Sequence, residues 1–169
     1  MVFSGCPGVD SVYVSTNDLY VTELMDPITA CENGSELKPI VRLYNNSGNV
    51  ISAGESIKFN FSVNESNVYT DIVTVNTDFI GETYRNFTLL SDYNFSDTGY
   101  YDVKVWINFM NDANSINDTI FTTVRTKGYP DVEFEQDTIF TLSADTLVFD
   151  AGNNFASYLW QDESINQTF

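Results

Sequence analysis

The chain has 169 residues, 43% of them hydrophobic, with 7 Lys and Arg against 24 Asp and Glu, a formal charge of −17 and no histidine. That apolar share supports a packed core and argues against wholesale disorder, while no apolar run approaches the roughly 20 residues of a membrane helix, so no direct membrane insertion is expected. The charge repels phosphate backbones and excludes nucleic acid as a partner. The missing imidazole excludes Ser-His-Asp and Cys-His chemistry; two carboxylates could still do glycosidase chemistry, but no pair stands out among so many acidic residues, and no enzyme is expected.

Read from the beginning, Met1 to Leu19 lacks the basic region and apolar stretch of a signal peptide, so if the parent protein is secreted its export signal is expected outside this chain. Residues 1–16 read as the terminal strand of a preceding domain. Cys6 and Cys31 are the two cysteines, and neither stands in a CxxC motif. They allow one disulfide, which would contribute about 3 kcal/mol by loop closure, or each belongs to a different domain.

Leu19, Val21 and Glu23 open the first strand-like segment of the central region, and Pro39 to Tyr44 supplies the next. Asn45-Asn46-Ser47-Gly48-Asn49 and Ala53-Gly54-Glu55 are turn signals. Ile57, Phe59, Phe61 and Val63 then alternate with Lys58, Asn60 and Ser62, the period-two signature of a strand with one buried face. Asn64 to Asn67 reads as a hairpin turn into Tyr69 to Val75. Tyr84 to Leu90 follows, then a long run in which Tyr101, Val103, Val105, Ile107 and Phe109 alternate with Asp102, Lys104 and Asn108. Asn111 to Asn114 ends it, and Thr119 to Val124 is the last strand of this region. Thr, Val, Ile, Tyr and Phe dominate these runs, and no 3.6-residue period is sustained, so almost no helix is expected. Seven short strands at this spacing predict an all-β, immunoglobulin-like antiparallel sandwich across residues 17–127.

Lys127 to Asp131, with Gly128 and Pro130, reads as a linker. Beyond it, Ile139 to Leu142, Leu147 to Phe149 and Tyr158 to Trp160 read as three strands with Trp160 in a core. Three strands cannot close a sandwich, so residues 128–169 are expected to be the first half of a following domain.

Two sets of motifs carry family resemblances. Asp97-Thr98-Gly99-Tyr100-Tyr101 has the D-x-G-x-Y pattern of a tyrosine corner, in which the hydroxyl of Tyr101 bonds back to the backbone. A loop followed by an ordinary strand would give the same letters. Val103 stands where antibody domains carry cysteine, so no inter-sheet disulfide is expected there. Asp18 to Thr126 resembles the bacterial cell-adhesion-related domain, CARDB. The resembling pieces are Asp18 to Val21, Pro39 to Gly48, Ala53 to Ile57, Gly99 to Trp106 and Asn117 to Thr119. Leu147 to Gly152 with Ser157 to Trp160, and also Gly5 to Val14, resemble parts of PKD-like or gliding-adhesin repeats. The resemblance implies a non-catalytic spacer or adhesion module in a secreted or surface-anchored protein of tandem sandwiches. Its partners would be neighbouring modules of the same parent chain, and a glycan or protein on another surface. The alternatives are a carbohydrate-binding module, or an accessory domain of a secreted hydrolase whose catalytic domain lies outside this chain.

Individual residues are weighed against plainer roles. Asp112, Asn114 and Asp118 offer hard oxygens suited to calcium, but the segment lacks EF-hand spacing and reads equally as a polar turn. No other cofactor is expected. Trp106 falls on the face opposite Val105 and Ile107, where it could stack on a sugar or be covered by neighbours. Asp10-Ser11-Val12, Asp118-Thr119-Ile120, Asp137-Thr138-Ile139 and Asp145-Thr146-Leu147 match an O-glycosylation pattern, and Asn60-Phe61-Ser62 and Asn86-Phe87-Thr88 are N-sequons; chance produces both in an Asn- and Thr-rich strand protein.

Overall fold

The alternating segments of the central region become strands and bury one face each. In the computed structural model, which describes residues 17–110, 112–129, 147–153, 155 and 157–169, the strands are β1 Leu19–Asp26, β2 Ile40–Asn45, β3 Ser56–Val63, β4 Tyr69–Thr74, β5 Thr83–Thr88, β6 Gly99–Asn108 and β7 Thr119–Thr126. No helix occurs among the described residues. The strands form two antiparallel sheets, one in the order β1-β2-β5 and the other in the order β4-β3-β6-β7. The chain changes sheet after β2, returns after β4 and changes again after β5. The chain divides into two units, Met1–Lys127 and Gly128–Phe169.

The core of the first unit is the space between the sheets. Ile57, Phe59, Phe61 and Val63 of β3 and Tyr101, Val103, Val105 and Ile107 of β6 turn inward, as their period predicts, with Leu19, Val21, Val41, Leu43 and Phe87 from the other sheet in the same buried cluster. Fully burying each such side chain contributes about 1.5–3 kcal/mol. Tyr93 and Phe95 extend the cluster toward β6, with ring centroids 4.9 Å apart and Phe95 5.1 Å from Tyr101.

β3 departs from the simple pattern, because Asn60 and Ser62 are buried as well as the apolar face. The strand lies between β4 and β6, so its outward side chains are flanked on both edges. Asn60 answers the cost of burial by donating to Asn108 Oδ1 at 3.0 Å and accepting from Thr70 Oγ1 at 2.9 Å. The hairpin into β4 turns at Asn64 and Glu65, with φ of 51° and 54°. Ser66 N donates to Val63 O at 3.0 Å, which closes a two-residue turn of the I′ type. Asn tolerates this left-handed geometry, which explains why the turn signal was readable there.

The Asn-rich turn after β2 is a built structure. Asn45 is fully buried and donates to Asn49 O at 2.9 Å and Phe79 O at 3.1 Å. Its Oδ1 accepts from Ser47 N and Oγ, so the amide is satisfied. Gly81 packs against this turn so closely that a Cβ there would meet Ser47 O at 2.1 Å. Asp71 in β4 is also buried, and its carboxylate accepts from Leu90 N, Ser91 N and Ser91 Oγ.

In the second unit, two of the three expected strands are not formed. Leu147 to Phe149 and Tyr158 to Trp160 are not strands; among the described residues of this unit the pairing is the bridge of Asp150 with Thr168, framed by mutual Phe149–Phe169 bonds of 2.8 Å. Trp160 is half-buried rather than in a core, stacked on Phe169 at 5.3 Å, with Nε1 donating to Asn166 O. Residues 2–15 and Ile139 to Leu142 lie outside the described residues.

Candidate functional site

Two places combine unusual chemistry with a definite position in the fold. The first is the outer face of the four-stranded sheet. Alternation on β6 sends Tyr100, Asp102, Lys104 and Trp106 outward, and the β6–β7 register sets Tyr100 opposite Arg125, Asp102 opposite Thr123 and Lys104 opposite Phe121. The Lys104 ammonium sits 4.8 Å from the Trp106 ring centroid and 5.4 Å from that of Phe121, and the Arg125 guanidinium lies 5.0 Å over Tyr100. Each such contact contributes about 0.5–1 kcal/mol at an exposed site. Thr123 Oγ1 donates to Asp102 Oδ1 at 2.7 Å.

Trp106 is on the expected face but half-buried, flanked by Lys104. The most open rings of β6 and β7 are Phe121 at 76% exposure and Tyr100 at 65%. Sequence reasoning missed Phe121, because Ile120 and Phe121 are adjacent and either could have faced inward. Beside these rings is an open recess of about 660 Å³, whose lining includes Ser62, Val68, Trp106, Phe121 and Thr123. With Lys58 of β3, three of the chain's 7 basic residues point outward from this sheet.

The second place is an acidic corner where the start of β1 meets the loop between β6 and β7. Leu19 N donates to Asp112 Oδ2 at 2.9 Å and Ala113 N to Asn17 O at 2.8 Å, which stitches the two segments together. Asn117 Nδ2 donates to Asp18 Oδ1 at 3.1 Å, and Asn46 Nδ2 to Asp18 Oδ2 at 2.7 Å. Asp118 is 5% exposed, and burial together with the negative charges of Asp112 and Asp18 raises its pKa to about 6. Its Oδ1, like Asn117 Oδ1, is buried without a hydrogen-bond partner.

Of the three oxygen donors read from the sequence, Asp112 and Asp118 are therefore brought together. The Asn114 side chain is exposed, and its backbone N donates to Asp112 Oδ1. Asp18 is the member that the sequence did not single out. Among the described residues, no group of three or more His, Cys, Asp or Glu side chains is arranged so that it could hold a metal ion.

The remaining predicted residues have structural surroundings. The Tyr101 hydroxyl donates to Asp97 O at 2.7 Å, with Gly99 at the start of β6 between them. Burial is the main cause that raises the Tyr101 pKa, with the Asp97 charge next. Cys31 is exposed and in no disulfide among the described residues; Cys6 lies outside them. Of the modification patterns, Asp118 and Asn60 are buried and Asn86 accepts from Arg42 Nε. The matches at Asp10, Asp137 and Asp145 lie outside the described residues.

Comparison with protein-family models, curated proteins and solved structures found no match to this chain.

Proposed function

We propose that the chain is a non-catalytic adhesion or spacer module of a secreted or surface-anchored multi-domain protein, with the outer face of β4-β3-β6-β7 as its contact surface. The observation that carries this reading is the row formed by Tyr100, Lys104, Trp106, Phe121 and Arg125. Large apolar side chains that stay in water as a group, rimmed by polar ones, mark interaction sites more often than isolated ones do. Aromatic and arginine side chains also dominate binding hot spots. Basic residues gathered on one face of a strongly acidic body would orient an approaching partner. The immunoglobulin-like and CARDB-like assignment of the sandwich belongs to the same proposal. It is supported by the strand order and by the Tyr101 to Asp97 bond. The PKD-like reading of the flanking segments rests on the sequence motifs.

A second reading, carbohydrate binding, is favoured by the recess beside Trp106 and Phe121. Ring faces stack on sugar rings, and Ser62 and Thr123 place hydroxyls within the same lining. An accessory domain of a hydrolase would use this face in the same way.

Beads coated with the whole chain, tested for attachment to glycan-coated and protein-coated surfaces, examine both readings. Phe121→Ala and Trp106→Ala are each expected to lower attachment by about fivefold, the effect of roughly 1 kcal/mol at a hot spot. Attachment unchanged by either substitution overturns the assignment of the face. Loss restricted to the glycan-coated surfaces selects carbohydrate binding. Hydrolysis of any polymer by the purified chain contradicts the non-catalytic reading.

A further inference from the structure

The outer face of β4-β3-β6-β7 carries cations that the fold leaves without acceptors. Elsewhere in the sandwich Arg42 is committed to Glu23 and Asn86, and Arg85 to the carbonyl oxygens of Thr77 and Asp78. Lys58, Lys104 and Arg125 are not. Among the described residues no ion pair or side-chain hydrogen bond holds any of the three, although the chain has 24 acidic residues. Lys104 and Arg125 are instead held against rings, which leaves their N–H donors uncommitted. The register fixes the spacing. Lys58 stands opposite Asn108 and Arg125 opposite Tyr100, with Lys104 midway between those two levels on β6. Each step is four residues along and one strand across, so the cations stand about 14 Å apart on a diagonal of about 28 Å. Trp106 lies between the levels of Lys58 and Lys104, and Phe121 is opposite Lys104. Asp102, bonded to Thr123, puts a negative charge in the gap between Lys104 and Arg125.

We propose that this diagonal binds a linear acidic glycan whose carboxylates are separated by neutral sugars. The inference rests on the reading of this face as the contact surface and names its ligand. Carboxylates pair with Lys58, Lys104 and Arg125, and the Trp106 and Phe121 rings stack on the sugars between them. Asp102 accepts a hydroxyl from a neutral sugar in the gap. Denser polyanions fit badly: a nucleic-acid strand has a phosphate about every 3.4 Å, and an extended acidic peptide a residue about every 3.3 Å, so both set anions against Asp102. Screening at physiological ionic strength acts over about 8 Å. Acids beyond the face therefore weigh little on the contact, while they keep the polymer from settling elsewhere on the chain.

The test is affinity electrophoresis of the whole chain in gels containing hyaluronan, which has a carboxylate on every second sugar, its neutral methyl ester, or polyglutamate, each mobility referred to a polymer-free gel. Hyaluronan is expected to bind most tightly. Lys58→Gln, Lys104→Gln and Arg125→Gln should each weaken it about threefold to fivefold, the scale of an exposed ion pair, and leave binding of the ester unchanged. Sites this far apart act independently, so the triple substitution should lose roughly fiftyfold and bind acid and ester alike. Lys38→Gln, the same change of charge off this face, should bind as the unaltered chain does. If Lys104→Gln fails to fold, the exposed Lys58 and Arg125 carry the test. Polyglutamate binding as tightly as hyaluronan overturns the spacing argument. Binding to neither glycan, or an equal loss in Lys38→Gln, overturns the proposal. Equal binding of acid and ester overturns it too; if Phe121→Ala then weakens both, the face remains the contact surface, and if it weakens neither, that reading falls as well.

Discussion

Asp118→Asn, studied without divalent cations, isolates the cost of keeping a charge in the acidic corner. The carboxyl titrates near 3.8 in an unfolded chain and at about 6 in the fold. Below pH 4 it is protonated in both states and costs nothing. As the pH rises from 4 through 6, the unfolded chain loses the proton first, so unfolding is favoured by a growing amount that levels off above 6. The full shift corresponds to about 3 kcal/mol, at about 1.4 kcal/mol for each pKa unit, and screening at a surface loop reduces this to about 1.5 kcal/mol. The amide carries no such penalty. The difference in Tm between variant and unaltered chain should therefore be small at pH 4 and should open to about 5 °C in favour of the variant by pH 7.5. Calorimetry or near-ultraviolet circular dichroism of both proteins across that range measures it. A difference that does not change with pH, or a variant less stable at pH 7.5, refutes the argument that an unpaired charge is housed there.

Gly81→Ala should cost about 3 kcal/mol, because its Cβ would stand 2.1 Å from Ser47 O and all three nearest atoms are backbone; a chemical denaturation midpoint near that of the unaltered chain would show that the turn yields easily. Tyr101→Phe should lose about 1 kcal/mol, since it deletes the 2.7 Å bond to Asp97 O and keeps the ring contacts with Phe95; a loss of stability close to zero would mean that the hydroxyl bond adds nothing beyond its solvated alternative.

The central strands were legible because their signals are local. Ile57 to Val63 and Tyr101 to Phe109 alternate without interruption, and the Asn64–Glu65 turn uses a residue tolerant of left-handed backbone. What depends on the meeting of distant segments was not legible. Asp18 reaches Asp112 and Asp118 only because the start of β1 is stitched to the β6–β7 loop, about a hundred residues away in sequence. Trp106 was placed on the correct face, but its partial cover by Lys104 and the greater openness of Phe121 follow from the β6–β7 register. Adjacent apolar residues such as Ile120 and Phe121 leave the inward choice to that register. Leu147 to Phe149 and Tyr158 to Trp160 show the opposite failure: their composition is strand-like, yet they pair in no strand among the described residues.

The last strand of the sandwich is also held to the segment that follows β1. Ala30 lies parallel to Thr126, with Ala30 N donating to Arg125 O at 3.1 Å and Lys127 N to Ala30 O at 2.9 Å. The end of β7 is therefore held on two sides, by β6 along its register and by Ala30 at Arg125 and Lys127, so fraying of that end has to break both sets of bonds.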